Sequence, residues 1–261
     1  MVGVKPIIFA FTLDNWRTKN YPLIEWLKWH AGELGLSTYL LYVGEVDEDV
    51  IKVARDVNAR VLTTSEKPPS GIDYRAFYKQ LALSKTPNGL KIMLDIDEFL
   101  LTKSLSSEYI PEPGKANYLL LYSPTSDLRH VWDVADWLDK WRARIENEGR
   151  KRGLSISLKD VVPLPAPQRM PRVFWNQASI VGDGGAVDLP IDGLKKPVPA
   201  LHISWRCDWA EFTRKTWLWV LGIERVREKD IPKYLPVKKI EYPIPSKLRD
   251  ILKDYVKKCK D

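Results

Sequence analysis

The stretch Lys91-Ile-Met-Leu-Asp-Ile-Asp-Glu-Phe-Leu-Leu101 is an apolar run interrupted by three carboxylates, Asp95, Asp97 and Glu98. Its first part, Leu90 to Leu94, has the length and composition of a buried strand. Working back from it, Asp73 to Ser84 reads as a helix with Asp73 as its N-cap. Arg60 to Thr63 reads as a strand, and Asp47 to Asn58 as a helix with Val50, Val53, Ala54 and Val57 on one face. Ser37 to Val43 is β-branched and aromatic and reads as a strand. Leu23 to Leu34 has helical spacing, opened by Pro22 and closed by Gly35. Residues 7–12 form the first strand. Strands alternating with helices imply a parallel sheet with right-handed crossovers. Ligands on such sheets bind beyond the C-terminal strand ends, so the acids after the fourth strand stand where a ligand is expected. No Gly-x-Gly-x-x-Gly and no phosphate-loop lysine follows the first strand, which argues against a dinucleotide fold and a P-loop enzyme.

In an extended chain, residues two apart project the same way, so Asp95 and Asp97 are expected to point together. Two close carboxylates repel and resist desolvation unless neutralised. A hard divalent cation, Mn²⁺ or Mg²⁺, does this with oxygen ligands and leaves positions for a diphosphate. Such an ion stabilises a leaving nucleoside diphosphate. The alternative is a strand end whose acids are solvated or salt-bridged. A haloacid-dehalogenase-type phosphatase also uses Asp-x-Asp, but would need Thr or Val where Phe99 stands, and after the first strand.

Beyond residue 101 the pattern is less regular. Tyr118 to Tyr122 and Leu201 to Trp205 read as strands. Leu128 to Gly149 and Glu211 to Leu221 read as helices, and Pro163 to Pro171 as a proline-rich connection. The 261 residues carry a net charge of +7, and the segment from Arg225 onward holds 12 Lys and Arg against 6 Asp and Glu. Nearly all the net charge therefore lies in the tail, whereas a simple nucleic-acid binder spreads it over a face of its main domain. The expected organisation is a domain over 1–224, with a regular first half (1–101) and a less regular second half (102–224), and a basic extension over 225–261. The amphipathic helix from Ser246 has two readings: it rests on an anionic membrane, or it packs on the body. Two cysteines, Cys207 and Cys259, exclude a disulfide scaffold or a Cys-rich zinc site. The N-terminus lacks a signal-peptide pattern, so the expectation is a cytoplasmic protein, soluble or membrane-peripheral. Only three Gln beside 19 Pro and many charges hint at a thermophilic source.

Glu25-Trp26-Leu27-Lys28-Trp29-His30 followed by Gly35, then Tyr74-Arg75-Ala76-Phe77-Tyr78-Lys79, then Asp95-Ile96-Asp97-Glu98-Phe99-Leu100 resemble the corresponding segments of GT-A-fold glycosyltransferases of the family 2 and family 92 type. His202-Ile203-Ser204-Trp205 is similar to the His-containing strand near the end of such domains. The loop Thr12-Leu13-Asp14-Asn15-Trp16 departs from the Asn-Glu often found there. The resemblance implies a three-layer α/β/α fold with a mostly parallel central sheet. It also implies metal-dependent transfer, more often inverting, from a nucleotide-diphospho-sugar to a sugar, lipid-linked or protein acceptor. On it, Asp97 and His202 ligate the ion, and Asp95 joins the metal site or contacts the ribose. Thr12, Asp14 and Glu45 sit where base and ribose bind. Arg75 and Lys79 share a helical face, either reaching the diphosphate or facing water. The catalytic base falls at Asp183 or Asp188, either of which is otherwise an ordinary turn residue. Trp175, Trp205 and Trp209 are candidates for sugar stacking or core packing. Two further readings use the same sequence: a metal-dependent phosphatase or nucleotidyltransferase with these acids, and a non-catalytic protein binding nucleic acid or membrane through its tail.

Overall fold

Side chains along a strand alternate between faces, and here both faces are apolar. In the strand β1 (Ile7–Leu13), Ile8 and Ala10 enter one core cluster, while Phe9 enters a second with Phe11 packed against it. In β2 (Ser37–Val43), Leu40 and Tyr42 join the first cluster and Tyr39 and Leu41 the second. A sheet buried on both sides must carry helices on both. The computed structural model describes residues 3–18, 21–122, 143, 146–147, 149–151, 153, 155, 168–182, 185–203 and 245–258.

After β1, a 3-10 turn (Asp14–Trp16) precedes helix α1 (Leu23–Leu27), which widens into a π-helical stretch, Lys28–Glu33. Then come β2, α2 (Glu48–Asp56), β3 (Arg60–Thr64), α3 (Tyr74–Ser84) and β4 (Leu90–Met93). The remaining elements are β5 (Glu98–Leu100), β6 (Ala116–Tyr122), β7 (Gln168–Trp175), β8 (Ile180–Val181), β9 (Ala186–Val187), β10 (Val198–His202) and α4 (Ser246–Lys258). Eight strands form one sheet in the order β3-β2-β1-β4-β7-β6-β10-β5, and β8 and β9 form a separate hairpin. The pairs β3–β2, β2–β1, β1–β4 and β6–β10 are parallel, and the pairs made by β7 and β5 are antiparallel. The α/β class, the three layers and the mostly parallel sheet are as the sequence implies. One sheet runs through both expected halves of the domain.

Two local expectations change. The proline-rich connection ends at Gln168, where β7 begins and inserts into the middle of the sheet. Across β6 and β7, Asn117 faces Val173 and Tyr118 faces Pro171, so Arg172 is an extra residue in a β-bulge. Proline cannot donate a ladder hydrogen bond, and a bulge is where a central strand tolerates it. The strand expected over 201–205 is β10, shifted toward the N-terminus. The stripe of α4 turns inward: Leu248, Leu252 and Tyr255 are buried, and Lys247 Nζ reaches Glu33 Oε2 at 2.9 Å. These residues pack on the body, the second of the two readings. Among the described residues no helix is long and apolar enough to cross a membrane. The helices expected over 128–149 and 211–221 lie almost wholly outside the described residues.

The Glu25–Gly35 segment supports the acid-bearing strand from behind. Fully buried His30 donates from Nδ1 to the Trp26 carbonyl (3.0 Å) and accepts at Nε2 from the Leu100 amide (3.1 Å). Trp29 Nε1 donates to the Leu100 carbonyl at 2.7 Å. Consecutive side chains of the π-helical stretch thus satisfy both backbone groups of one β5 residue. These bonds fix the neutral His30 tautomer, and burial pushes its pKa down to about 3. In the unfolded chain His30 titrates near its ordinary value, so below about pH 6.5 the unfolded state binds the extra proton. Stability is therefore complete at neutral pH and falls by about 1.4 kcal/mol per unit as the pH drops from about 6.5 toward 3. Chemical denaturation across this range is expected to show that slope in the wild type and a flatter one in His30→Gln. Parallel profiles for the two proteins would overturn the assignment.

Candidate functional site

The acids do not continue the strand. β4 stops at Met93, and the Glu98 amide donates back to the Asp95 carbonyl at 3.0 Å, closing a turn before β5. The two-residue alternation expected for Asp95 and Asp97 is thereby broken, and the two carboxylates find different partners. Lys79 Nζ on α3 lies 2.7 Å from Asp95 Oδ1, and Arg172 Nη2 on β7 donates to Asp95 Oδ2 at 3.1 Å. Arg172 Nη1 donates to both Glu98 oxygens, at 2.8 and 2.6 Å. The Asp95 amide closes the network on Glu98 Oε2 at 2.8 Å. The side chains of Lys79, Arg172 and Glu98 are all but inaccessible, whereas that of Asp95 remains 38 % exposed toward the cleft.

Burial and pairing oppose one another here. Burial works to raise the Asp95 carboxyl, yet Lys79 and Arg172 hold it well below the usual carboxylate range. Burial raises Glu98 against the pull of Arg172. Burial lowers the Lys79 ammonium despite Asp95. Burial would also lower Arg172, but Glu98 and Asp95 hold its guanidinium above its ordinary value.

Asp97 faces the other way, toward β10. β5 and β10 pair antiparallel with His202 opposite Glu98, and the Ile203 amide donates to the Asp97 carbonyl at 2.7 Å. His202 Nε2 consequently stands 3.7 Å from Asp97 Oδ2. Burial would lower the His202 pKa, but Asp97 raises it above its ordinary value. A cleft of about 280 Å³ opens over these groups, lined also by Thr12 near the end of β1, Asn15 and Trp16 after it, Tyr21, and Tyr74 and Arg75 at the start of α3. Trp16 is fixed from outside the cleft. Its Nε1 donates to Asp47 Oδ2 (2.8 Å), Tyr42 donates to the same oxygen (2.9 Å), and the Arg17 guanidinium lies 4.4 Å from the ring centre. The β8–β9 hairpin closes on Lys79. Gly185 has φ +63°, and a Cβ there would lie 2.5 Å from Lys79 Cδ and 2.6 Å from Nζ, so only glycine fits.

Among the expected site residues, Thr12, Arg75, Lys79, Asp95, Asp97 and His202 line this one cleft. Three others do not. Asp14 is exposed and lies against Gly44, so Asn15 and Trp16 take the wall in its place. Glu45 is exposed in the turn after β2, and Asp188 is exposed just beyond β9. Asp183, Trp205 and Trp209 lie outside the described residues. Trp175 donates Nε1 to the Pro111 carbonyl at 2.8 Å and does not line the cleft. Arg75 sits at the rim beside Tyr74, whose hydroxyl accepts from its Nε at 3.1 Å, while Lys79 one turn on is buried. Sequence reasoning missed Arg172, Trp16 and Asp47. The available signal for Arg172 was one charge inside Met170-Pro-Arg-Val-Phe-Trp175, an otherwise apolar run with a proline.

Among the described residues no three His, Cys, Asp or Glu side chains form a ready metal cluster. The donor set nonetheless fits an ion in part. Two ligands each ~2.1 Å from a common ion stand about 3–4 Å apart, and Asp97 Oδ2 and His202 Nε2 meet this spacing. Each Asp95 oxygen already faces a buried cation, Lys79 or Arg172, so Asp97 and His202 are the pair spaced for an ion.

No family model matches the chain, and no curated protein does. Among solved structures the chain is similar to glucosyl-3-phosphoglycerate synthase from Mycobacterium tuberculosis, with 14% identity, 85% of this chain and 81% of that one covered, and a TM-score of 0.36. It is similar to the galactosyltransferase LgtC at 13% identity over 87% of this chain and 99% of that one, TM-score 0.36. It is also similar to S. aureus TarS at 11% identity and TM-score 0.31, over 46% of this chain, which spans 22% of the TarS chain.

Because Arg172 neutralises two carboxylates inside the fold, Arg172→Met is expected to cost about 3–5 kcal/mol of unfolding free energy. Arg172→Lys is expected to recover only part of this, since a lysine cannot make the forked contacts to Glu98 and Asp95. Denaturant unfolding measures both. A loss below about 1 kcal/mol for the methionine variant would contradict the role given to this network.

Proposed function

We propose that this protein is a glycosyltransferase of the GT-A type that transfers a sugar from a nucleotide-diphospho-sugar with the aid of Mn²⁺ or Mg²⁺. The observation that carries the reading is the pair Asp97 and His202, held 3.7 Å apart in a cleft just past the C-terminal ends of β1 and β4. The residues that carry the family resemblance support it from a second side, since they include the acids themselves and the clamp behind them.

In this reading Asp97 and His202 hold the ion, and the ion, when bound, offsets the negative charge that grows on the departing diphosphate. Arg75 at the rim adds a positive charge that no metal has to supply. Asp95, anchored by Lys79 and Arg172, keeps lone pairs for ribose hydroxyls. Trp16, Tyr21 and Asn15 form the wall for the base, with the indole oriented by Asp47. An inverting reaction needs a carboxylate to take the acceptor proton. Asp183 is the better candidate, being two residues in sequence from Gly185, which stands against Lys79, whereas Asp188 is exposed and does not line the cleft. The acceptor is a sugar, a lipid-linked sugar or a protein.

Thermal unfolding with UDP-, GDP- and CDP-sugars, with and without Mn²⁺, tests this. Saturation at 100 times Kd adds about 2.7 kcal/mol, which for a chain of this size raises Tm by about 5–10 °C. One nucleotide series is expected to give that rise only with Mn²⁺, and Asp97→Asn is expected to abolish it while keeping the unliganded Tm within a few degrees. No rise with any sugar nucleotide, or release of phosphate or pyrophosphate without sugar transfer, would sink the reading.

A further inference from the structure

We infer that Asp47, which stands behind the cleft lining, is a positioning residue that sets which base the cleft prefers by holding the Trp16 indole in place from outside. The inference rests on the cleft being a nucleotide-sugar site and names a residue that governs its selectivity without touching the ligand. Three features lead there.

The first is a helix cap turned away from its own helix. Asp47 occupies the N-cap of α2 in extended backbone, φ −64° and ψ 142°. An aspartate there ordinarily accepts from the amides of the first helical turn. Asp73, at the N-cap of α3 with φ −60° and ψ 123°, does so through Arg75 and Ala76. Asp47 makes no such bond. Its Oδ2 accepts instead from Trp16 Nε1 at 2.8 Å and from the Tyr42 hydroxyl at 2.9 Å. The carboxylate thus forgoes the local bond that would stabilise α2 and takes two from other elements. Burial would raise its pKa, but these bonds and the nearby Arg17 hold it below its ordinary value, so it is an acceptor at neutral pH.

The second is the rigidity of the mount. Tyr42 is buried in the core on β2, so the sheet fixes where its hydroxyl stands. Arg17 packs its guanidinium over the indole, lies 3.7 Å from Asp47 Oδ1 through Nε, and pairs with Asp49 on α2. In the turn after β2, Gly44 has φ +108°, and a Cβ there would stand 3.2 Å from Asp14 Cβ. The segment after β1 is therefore mounted on the segment after β2.

The third is what Trp16 can offer a ligand. An indole has a single polar group, its N–H. That group is spent on Asp47, so Trp16 presents the cleft with ring carbon only. Such a surface suits the flat face of a nucleobase, and it discriminates between bases only through where the ring stands. The Trp16 carbonyl also accepts from the Tyr21 amide at 3.0 Å, which ties the second aromatic of the wall to the first. Release of the indole would therefore blur the choice of base while leaving the groups on β5 and β10 in place.

Calorimetric binding of UDP, GDP and CDP to the full chain with Mn²⁺ present tests this, with inorganic pyrophosphate as the probe that has no base. Asp47→Ala is expected to weaken the preferred nucleotide about tenfold, the size of one hydrogen bond to a charged group, and to bring the three nucleotides closer together. Pyrophosphate affinity is expected to stay within about twofold, since Asp47 shares no partner with the groups that face it. Asp47→Asn keeps an oxygen for Trp16 and Tyr42 and is expected to restore most of the preference. In a Trp16→Phe background, Asp47→Ala is expected to add less than about a twofold change, because the two residues act through one bond. Equal binding of the three nucleotides by the wild type, an unchanged preference in Asp47→Ala, an equal loss for pyrophosphate, an asparagine variant as unselective as the alanine one, or a full effect without the indole N–H would each overturn the inference while leaving the transferase reading standing. Absence of binding by every nucleotide to the wild type would overturn both. Should Asp47→Ala not fold, Trp16→Phe decides: it is expected to reduce the preference and spare pyrophosphate, and an unchanged preference would overturn the inference.

Discussion

Buried acids have to be neutralised, and the way Arg172 does it organises the rest of the cleft. A lone carboxylate in a protein interior either costs several kcal/mol or takes up a proton. Glu98 is almost fully buried at the start of β5, and Asp95 stands at the same turn. A guanidinium presents a planar fork and can serve two carboxylates at once, which a single ammonium does less well. Placing that fork between them requires a side chain from the middle of the sheet. The bulge at Arg172 supplies it by taking one residue of β7 out of register, with Pro171 beside it where a ladder donor is not needed. The irregular point of the central strand and the charge balance of the cleft are thus one feature.

The segment that carries the family resemblance most visibly plays its part behind the cleft rather than in it. His30 and Trp29 are both buried, and His30 through Nε2 and Trp29 through Nε1 both bond the backbone of Leu100. β5 is only three residues long and pairs with a single strand, β10. So short an edge strand has few ladder bonds of its own, and the two aromatic anchors supply what it lacks. The rings also pack in series, Trp26 tilted against His30 and His30 stacked on Phe99. The role of this segment here is mechanical: it anchors the strand that follows the acids.

What could be read beforehand follows from which physics is local. Hydrophobic period located β1 to β4 and the three helices between them to within a few residues, because each buries a continuous stripe. The Asp73 cap was legible because capping is a one-turn interaction, and its carboxylate does accept from the Arg75 and Ala76 amides. β7 was not legible, since its proline and bulge erase the alternation by which a strand is recognised. The alternation rule also failed between Asp95 and Asp97, where a hydrogen-bonded turn intervenes. Helical spacing correctly put Arg75 and Lys79 on one face of α3, but spacing cannot tell that this face runs from the rim into the interior. One residue therefore stays in water and the other becomes a buried counter-ion. Asp14 and Glu45 illustrate the reverse error: they follow strand ends as expected, yet tight turns carry their side chains out of the cleft. Long-range partners such as Asp47 for Trp16 leave no trace in local pattern at all.

The pairing of His202 with Asp97 depends on register more than on distance in the chain. On β10, residues alternate between faces, so a slip of one position against β5 would turn His202 away from the cleft and bring a neighbour in its place. The register is held at both ends of the contact. On one side Leu201 lies opposite Phe99 and Ala200 opposite Leu100, all of them buried. On the other, the Ile203 amide is fixed to the Asp97 carbonyl. The same backbone bond that ends the strand also ties down Asp97, whose carboxylate faces His202. The positions of Asp97 and His202 are therefore set together, by the register of β5 against β10.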